Sequence, residues 1–291
     1  MKMPAFCYHR PSSVDEVVGL LDEYGSDAKV LAGGQSLVPL LALRLSHPDH
    51  LIDIGRIQEL QGIDAQPTGF TIGAGVRHAE VELSTVAGRA APLVVAAMPH
   101  IGHRAIRNRG TVCGSLAHAD PAAELPAVAL AVDAELVVRS LTGERVIRAG
   151  DFFVGYLSSA LSETELLTSV RFPPWPARAG WSVHEVSRRH GDFAVVGLAA
   201  VVVLNESGRV DRAALSFFGA GATPVRIAEA EQVLVGEYPD RSAFADAADV
   251  VTMTIDPPGD HHATAAYRAH VAGVLTRRSL AVASDRAGGA V

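Results

Sequence analysis

The sequence predicts an α+β protein of two domains, and three observations carry that expectation. Helix-like and strand-like segments both occur along the whole chain, but without the regular strand–helix–strand rhythm of a doubly wound parallel sheet. A proline-rich stretch, FPPWPARAG (172–180), interrupts the pattern beyond the middle of the chain and marks the domain boundary. The 291 residues, 48% hydrophobic and 20% charged, suffice for one large or two ordinary hydrophobic cores and exclude wholesale disorder.

The elements follow in order. SVDEVVGLLDEY (13–24) is a short amphipathic helix, with Ser13 and Glu16 in capping-box spacing and Gly25 as its stop. KVLA (29–32) is a strand that runs directly into GGQS, and LVPLLALRL after it is helical, with Pro39 in the tolerant first turn. HLIDI (50–54) and GFTIGAGV (69–76) are strands, HAEVELSTVAG a helix, and an Ala-rich helix is expected near 90–98. AAELPAVALAVDA (122–134) is helical in composition. ELVVRS (135–140), ELLTSVRF (165–172) and WSVHEVSRR (181–189) are strands by β-branched content and alternation. Past the boundary come two strands joined by an NESG hairpin turn (205–208), a GAGATP loop (219–224), a helix from about 226, and a long helix around 263–283. No internal repeat is visible.

Charge and cysteine usage narrow the function classes. A formal net charge of −7 offers no basic field for nucleic acid. Two cysteines far apart, Cys7 and Cys113, argue against a disulfide scaffold or a cysteine-rich metal site and fit a reducing compartment. MKMPAFCYHRP lacks the apolar core of a signal peptide, and the longest apolar run, AVVGLAAVVVL (194–204), is too short to span a bilayer. The expectation is a cytoplasmic protein without membrane insertion.

Two small-residue segments carry the candidate chemistry. In AGGQS (32–36), adjacent glycines directly after a strand permit positive φ and let ligand oxygens approach backbone N–H groups. The segment lacks both the phosphate-loop Gly-Lys-Ser/Thr and the dinucleotide G-x-G-x-x-G pattern, and a tight structural turn is the competing reading. TVCGSLAHADPAAELP (111–126) repeats the small-residue character, with Asp120 and Glu124 behind it. Acids beside an anion cradle suit a ligand whose hydroxyls donate to carboxylates. The alternative is Asp120 as a helix N-cap with Pro121 at the first helical position, and one carboxylate can serve both roles. Histidine pairs at 100/103 and 261/262 lack the partners of a metal site. Cys113 is a possible reactive thiol by its loop position. Arg104, Arg107 and Arg109 form a basic cluster, read either as a solvated face or as a phosphate or partner contact.

VLAGGQSL, LIDIGRIQELQGI, FTIGAGVRHAEVE, IGHRAIRNRGTVCGSLAHADPAAELPAVALAVDAEL, ELLTSVRFP and EVSRRHGDFAVV together resemble, in the same order, the FAD-binding medium subunits of molybdenum hydroxylases. This group includes carbon monoxide, nicotine, caffeine and xanthine dehydrogenases, and the resemblance runs from about residue 3 to 283. It implies a two-lobed FAD-binding domain of the vanillyl-alcohol-oxidase type at 1–177, with lobes of about 1–57 and 58–177, and a small α+β C-terminal domain at 178–291. It further implies that Val30, Leu31, Ala32, Gly33, Gly34, Gln35, Ser36 and Leu37 hold the FAD pyrophosphate. Thr111, Val112, Cys113, Gly114 and Ser115 would form the second cradle, and Asp120 and Glu124 would face hydroxyls. Ile101, Leu167 and His184 match further flavin-contact positions, and Phe193 one that approaches the ring. Two departures stand out. Cys113 replaces a usual glycine, which requires an ordinary φ there, and His184 replaces a lysine of some members, which removes a fixed positive charge.

The implied function is electron relay. A large molybdopterin subunit would oxidise a substrate, [2Fe-2S] clusters on a small subunit would carry the electrons, and FAD on this chain would pass them to an external acceptor, within a dimer of heterotrimers. No residue here is expected to be catalytic toward the hydroxylated substrate. The alternatives are a self-sufficient FAD-dependent oxidoreductase of the same fold and a scaffold that has lost its flavin.

Overall fold

A computed structural model describes residues 3–288. Near the N-terminus, Cys7–His9, His50–Asp53 and Ala28–Leu31 form a parallel three-stranded sheet with His50–Asp53 in the middle. The helix Val14–Tyr24 covers it through Val14, Val17, Val18 and Leu21. Ser13 caps that helix by accepting from the Glu16 N–H at 3.2 Å, and Gly25 ends it at φ 49°. The capping box is displaced by one residue, because the Glu16 carboxylate reaches back to the N–H of Ser12 at 2.6 Å.

An antiparallel five-stranded sheet follows, in the order Ile63–Gln66, Gly69–Gly73, Leu166–Phe172, Glu135–Ser140 and Gly143–Arg148. Its first and last strands were not expected from the sequence, because their outward faces are exposed and polar. The helix expected over 78–88 is two helices, His78–Leu83 and Thr85–Ala90, since Ser84 breaks the first and caps the second through the Ala87 N–H at 3.1 Å. The other expected helices shorten to Pro92–Ala97 and Glu124–Ala131, and the last extends over Ala265–Gly288.

FPPWPARAG leads from this sheet into an antiparallel four-stranded one, Ala179–Ser187, Ala194–Leu204, Val210–Phe218 and Val225–Arg226. The stretch is held in place: Trp175 donates its indole N–H to the Ala179 carbonyl at 3.4 Å and meets Trp181 edge-on at 5.7 Å. The NESG turn forms as expected, with the Asn205 side chain accepting from the N–H groups of Ser207 and Arg209. Helices Ala265–Gly288 and Ala228–Leu234 cover the sheet's outer face, and Arg241–Thr254 packs against both of them.

The strand Ala194–Leu204 explains its own sequence. All eleven residues are buried, so apolar side chains occupy both of its faces and the run shows no alternation. Ala199, Val201 and Val203 face the core shared with the first two sheets, whereas Val196, Leu198, Ala200, Val202 and Leu204 face the helices. This strand is therefore the wall between two hydrophobic cores. Gly197 sits opposite Phe218 in the register, and a Cβ there would lie 2.0 Å from the Phe218 ring.

That contact yields a stability test. Gly197→Ala should overpack the wall and lower unfolding free energy by about 1–3 kcal/mol, and Phe218→Leu in the same chain should restore part of the loss. Urea unfolding of the single and double variants measures both; equal, additive losses would mean that the two residues do not share one space.

Candidate functional site

The strand Ala28–Leu31 ends where Leu31 accepts from the Ile54 N–H at 3.0 Å, and the chain turns sharply through AGGQS into the helix Leu37–Ala42. Gly34 has φ 72°, which suits glycine. Gly33 is constrained differently: a Cβ on it would meet the Arg109 carbonyl oxygen at 2.4 Å and the Gly110 Cα at 2.6 Å. The first glycine segment thus lies directly on the residues preceding TVCGS.

That second segment is itself anchored from below. Arg77 pairs with Thr111 as an isolated antiparallel bridge, and the His78 N–H donates to the Gly110 carbonyl at 2.9 Å. The Arg77 guanidinium donates to the Arg109 carbonyl oxygen. TVCGS is not a free loop but the start of the helix Val112–His118, which Thr111 caps by accepting from the Gly114 N–H at 3.1 Å. Cys113 therefore has an ordinary helical φ, as its replacement of glycine required. The reactive-thiol reading fails: Cys113 is buried, donates weakly to the Ile72 carbonyl, and burial pushes its thiol up to about 12.

Both segments line one cavity of about 680 Å³, inside the range of about 300–1,000 Å³ usual for ligand sites. Of the sequence-expected site residues, Val30, Ala32 to Leu37, Ile101, Thr111, Cys113, Gly114, Ser115, Asp120, Glu124, Leu167 and Phe193 lie on its wall. Leu31, Val112 and His184 do not. His184 stands off the wall, with Nδ1 at 3.0 Å from the hydroxyl of Ser279 on the C-terminal helix. Its pKa is lowered, first by burial and then by His100, Arg286 and Arg278, so it supplies no fixed positive charge. Phe193 is 65% exposed, at the rim, on a turn whose Gly191 packs against the His103 ring.

The acids behind the second segment differ from each other. Asp120 is not a helix N-cap, since Ala123 occupies that position; its Oδ1 closes a local turn by accepting from the Ala122 N–H at 2.9 Å. Glu124 opens the helix Glu124–Ala131 and is only 6% exposed, and burial raises its pKa to about 7. Arg107, in the basic cluster, is neither solvated nor facing the cavity. It grips Glu82 at 2.8 Å and donates to the carbonyls of Ile101 and Gly102, which fixes the turn that carries Ile101.

Sequence reasoning missed His78 and the segment around 157–163, which runs on from the second strand of the hairpin Phe153–Gly155 and Ser158–Ser159; both lie on the cavity wall. His78 is 4% exposed and neither ring nitrogen has a hydrogen-bond partner among the described residues. Burial pushes its pKa down to about 4, leaving a neutral imidazole. A lone His in RHAEVE carries no signal of this, because its environment comes from Gly110 and Thr111, distant in sequence. The wall thus combines bare backbone, a buried neutral imidazole and two acids, of which burial keeps Glu124 protonated toward neutrality, a donor and acceptor set that fits an extended ligand with an anionic centre and hydroxyl groups. Among the described residues no cluster of three or more His, Cys, Asp or Glu is arranged to hold a metal ion.

Two family models match the chain. The FAD binding domain in molybdopterin dehydrogenase covers residues 4–175, and the CO dehydrogenase flavoprotein C-terminal domain covers residues 181–283. Subunit alpha of the 6-hydroxypseudooxynicotine dehydrogenase complex of Paenarthrobacter nicotinovorans is 42% identical over 287 residues, covering 99% of this chain and 97% of that protein. Caffeine dehydrogenase subunit beta of Pseudomonas sp. strain CBB1 is 40% identical, with 98% and 97% covered. Among solved structures, a carbon monoxide dehydrogenase from Hydrogenophaga pseudoflava that lacks the Mo-pyranopterin moiety of its molybdenum cofactor superposes with a TM-score of 0.95 at 37% identity, covering 98% of this chain and 99% of that one.

The raised Glu124 pKa makes stability depend on pH in a defined direction. Below about 4.5 the residue is protonated in both states; as pH rises toward about 7, the unfolded chain releases that proton and the folded chain retains it. Glu124 therefore withdraws on the order of 2–3 kcal/mol of stability across this window. His78 acts oppositely, because its lowered pKa costs stability as pH falls from 6.5 toward about 4. The difference between the natural chain and Glu124→Gln isolates the first effect. In flavin-free protein the variant should gain relative stability as pH rises from 4.5 to 7; a pH-independent difference in denaturant midpoints would show that Glu124 titrates normally.

Proposed function

The chain belongs to the family of FAD-binding molybdopterin dehydrogenase flavoproteins, and from that membership we propose that it relays electrons within a heteromeric molybdenum hydroxylase. In this reading a large molybdopterin subunit oxidises the substrate and a small subunit with [2Fe-2S] clusters delivers the electrons to this chain, in a dimer of heterotrimers. Bound FAD supplies a ring that accepts electrons from the clusters and returns them to an external acceptor. The observation that carries the reading is the meeting of the two glycine segments on the wall of one cavity. The naming of relatives as subunits of dehydrogenase complexes supports the partners.

We assign Val30, Ala32 to Leu37, Thr111 and Cys113 to Ser115, the parts of the two segments that lie on the cavity wall, to the FAD pyrophosphate, which approaches bare backbone there. Asp120 presents its remaining carboxylate oxygen to ligand hydroxyls, and Glu124, protonated near neutrality, donates as well as accepts. Ile101 and Leu167 offer apolar surface to the flavin, and Phe193 covers its open edge from the rim. His184 holds the seam with the C-terminal helix and acts on the flavin only at a distance. The division into a FAD-binding domain at 1–177 and a C-terminal domain at 178–291 belongs to the same reading, as does a cytoplasmic location. Two free cysteines support a reducing compartment, and no described helix is long and apolar enough to cross a membrane.

Anaerobic stopped-flow absorbance tests the relay. The isolated, flavin-loaded chain should stay oxidised when mixed with purines, alkaloids, aldehydes or carbon monoxide. Reduction should follow once the iron–sulfur and molybdenum subunits are supplied with the substrate of their complex. Rapid reduction of the isolated chain by an organic substrate would favour the self-sufficient oxidoreductase instead.

A further inference from the structure

Positive charge gathers beside the cavity, although the chain as a whole carries −7. The turn that bears Phe193 packs against the turn that bears Ile101. A Cβ on Gly191 would lie 2.7 Å from the His103 ring and 3.2 Å from the Gly102 carbonyl carbon, and the His103 and His190 rings meet edge-on at 6.3 Å. Gly102, Ile106, Gly191, Asp192 and Phe193 all line the cavity, and Ile106 and Phe193 are also exposed to solvent. His103 and Arg104 on one side of this junction and Arg188, Arg189 and His190 on the other are exposed as well. Arg188 reaches a third segment, with its guanidinium 3.2 Å from His262 Nδ1.

These cations are not neutralised within the protein. Arg107 is held by Glu82, but among the described residues Arg104, Arg188 and Arg189 pair with no carboxylate. Residues 100–109 contain no acid, and 188–193 contain one, Asp192. Asp260, whose Oδ1 accepts from the His262 N–H at 2.8 Å, is already paired with Arg268 at 2.6 Å. Like charges on one face repel each other, and exposed side chains gain no packing in return. The three arginines stand off the cavity wall on two separate segments. They therefore suit an extended acidic surface better than a single enclosed phosphate. Two exposed apolar side chains, Ile106 and Phe193, lie between them, the arrangement of a contact with an apolar centre and a charged surround.

We propose that this face receives a small acidic electron-carrier protein, steered by Arg104, Arg188 and Arg189 and seated on Phe193 and Ile106, which takes electrons from reduced FAD. The proposal rests on FAD occupying the cavity. A permanent subunit calls for a broad and more hydrophobic interface, roughly 2,000 Å² or more, whereas transient redox partners meet over smaller contacts. Two apolar side chains among unpaired cations match the second kind, in which charge supplies encounter rate and orientation. Reduced FAD gives one electron to each of two carriers in succession, and its N–H protons go to water.

The test uses the full chain and cytochrome c in two forms: unmodified, which is basic, and with its lysines succinylated, which is acidic. FAD-loaded chain reduced by dithionite is mixed anaerobically with each. The acidic form should reoxidise the flavin at least about tenfold faster at low salt, an advantage that fades as ionic strength rises. In Arg104→Glu and in the double variant Arg188→Glu/Arg189→Glu, FAD content and reoxidation by a small neutral quinone should be unchanged. Reoxidation by the acidic carrier should slow roughly tenfold or more. Calorimetric titration of flavin-stripped chain at low salt gives a second readout: the natural chain should bind the acidic carrier and the variants should not. If a variant loses flavin, the calorimetry alone decides. Variants that react with and bind the acidic carrier as the natural chain does overturn the proposal. Failure of the variants to assemble with the iron–sulfur and molybdenum subunits also overturns it, because the face would then seat a permanent subunit. A natural chain that binds the acidic carrier but no FAD overturns the electron-relay reading and leaves the docking face standing.

Discussion

A Cβ on Gly33 would collide with the backbone of Arg109 and Gly110, and the geometry of the cavity follows from that contact. Two segments some eighty residues apart in sequence present bare backbone on one wall because nothing larger than hydrogen separates them. The contact is over-determined from the far side. Arg77 bridges Thr111, His78 holds the Gly110 carbonyl through its N–H, and Arg107 with Glu82 fixes the preceding turn. Gly33 is thus conditioned by protein rather than by ligand, and a glycine that reads as clearance for a phosphate serves first as clearance for another loop.

The same economy governs the larger architecture. The strand Ala194–Leu204 separates two hydrophobic cores and is apolar on both faces, which lets the second core be built without a new boundary layer. Hydrogen bonds tie its surroundings to the cavity. The Gly219 N–H donates to the Pro121 carbonyl at 2.8 Å, beside Asp120, and the buried Arg268 donates to the Gly219 and Val195 carbonyls. The C-terminal sheet therefore contributes to the site by bracing the Asp120 turn.

Much of this was legible in the sequence wherever local chemistry decides structure. Ser13 and Gly25 delimit the first helix, Asn205 builds the hairpin turn, and the strand before AGGQS ends where the glycines begin. The family and its FAD were legible because several such segments recur in fixed order. What escaped depends on distant neighbours. TVCGS reads as a loop because helix N-termini and loops share small polar residues, and only the Thr111 cap distinguishes them. His78 reads as an ordinary polar residue and Glu124 as a hydroxyl-facing acid without any sign of its protonation; their neutral forms are imposed by burial. Arg107 reads as part of a basic surface until Glu82 is brought beside it.

The loop-on-loop contact at Gly33 is the point at which the account is most exposed. Titration of FAD into flavin-stripped Gly33→Ala, with circular dichroism to follow the fold, tests it directly. An added methyl should force the two segments apart and weaken FAD binding by at least about tenfold, on the order of 1.4 kcal/mol or more, while secondary structure is retained. Affinity equal to that of the natural chain would contradict the claim that this contact sets the geometry of the cavity.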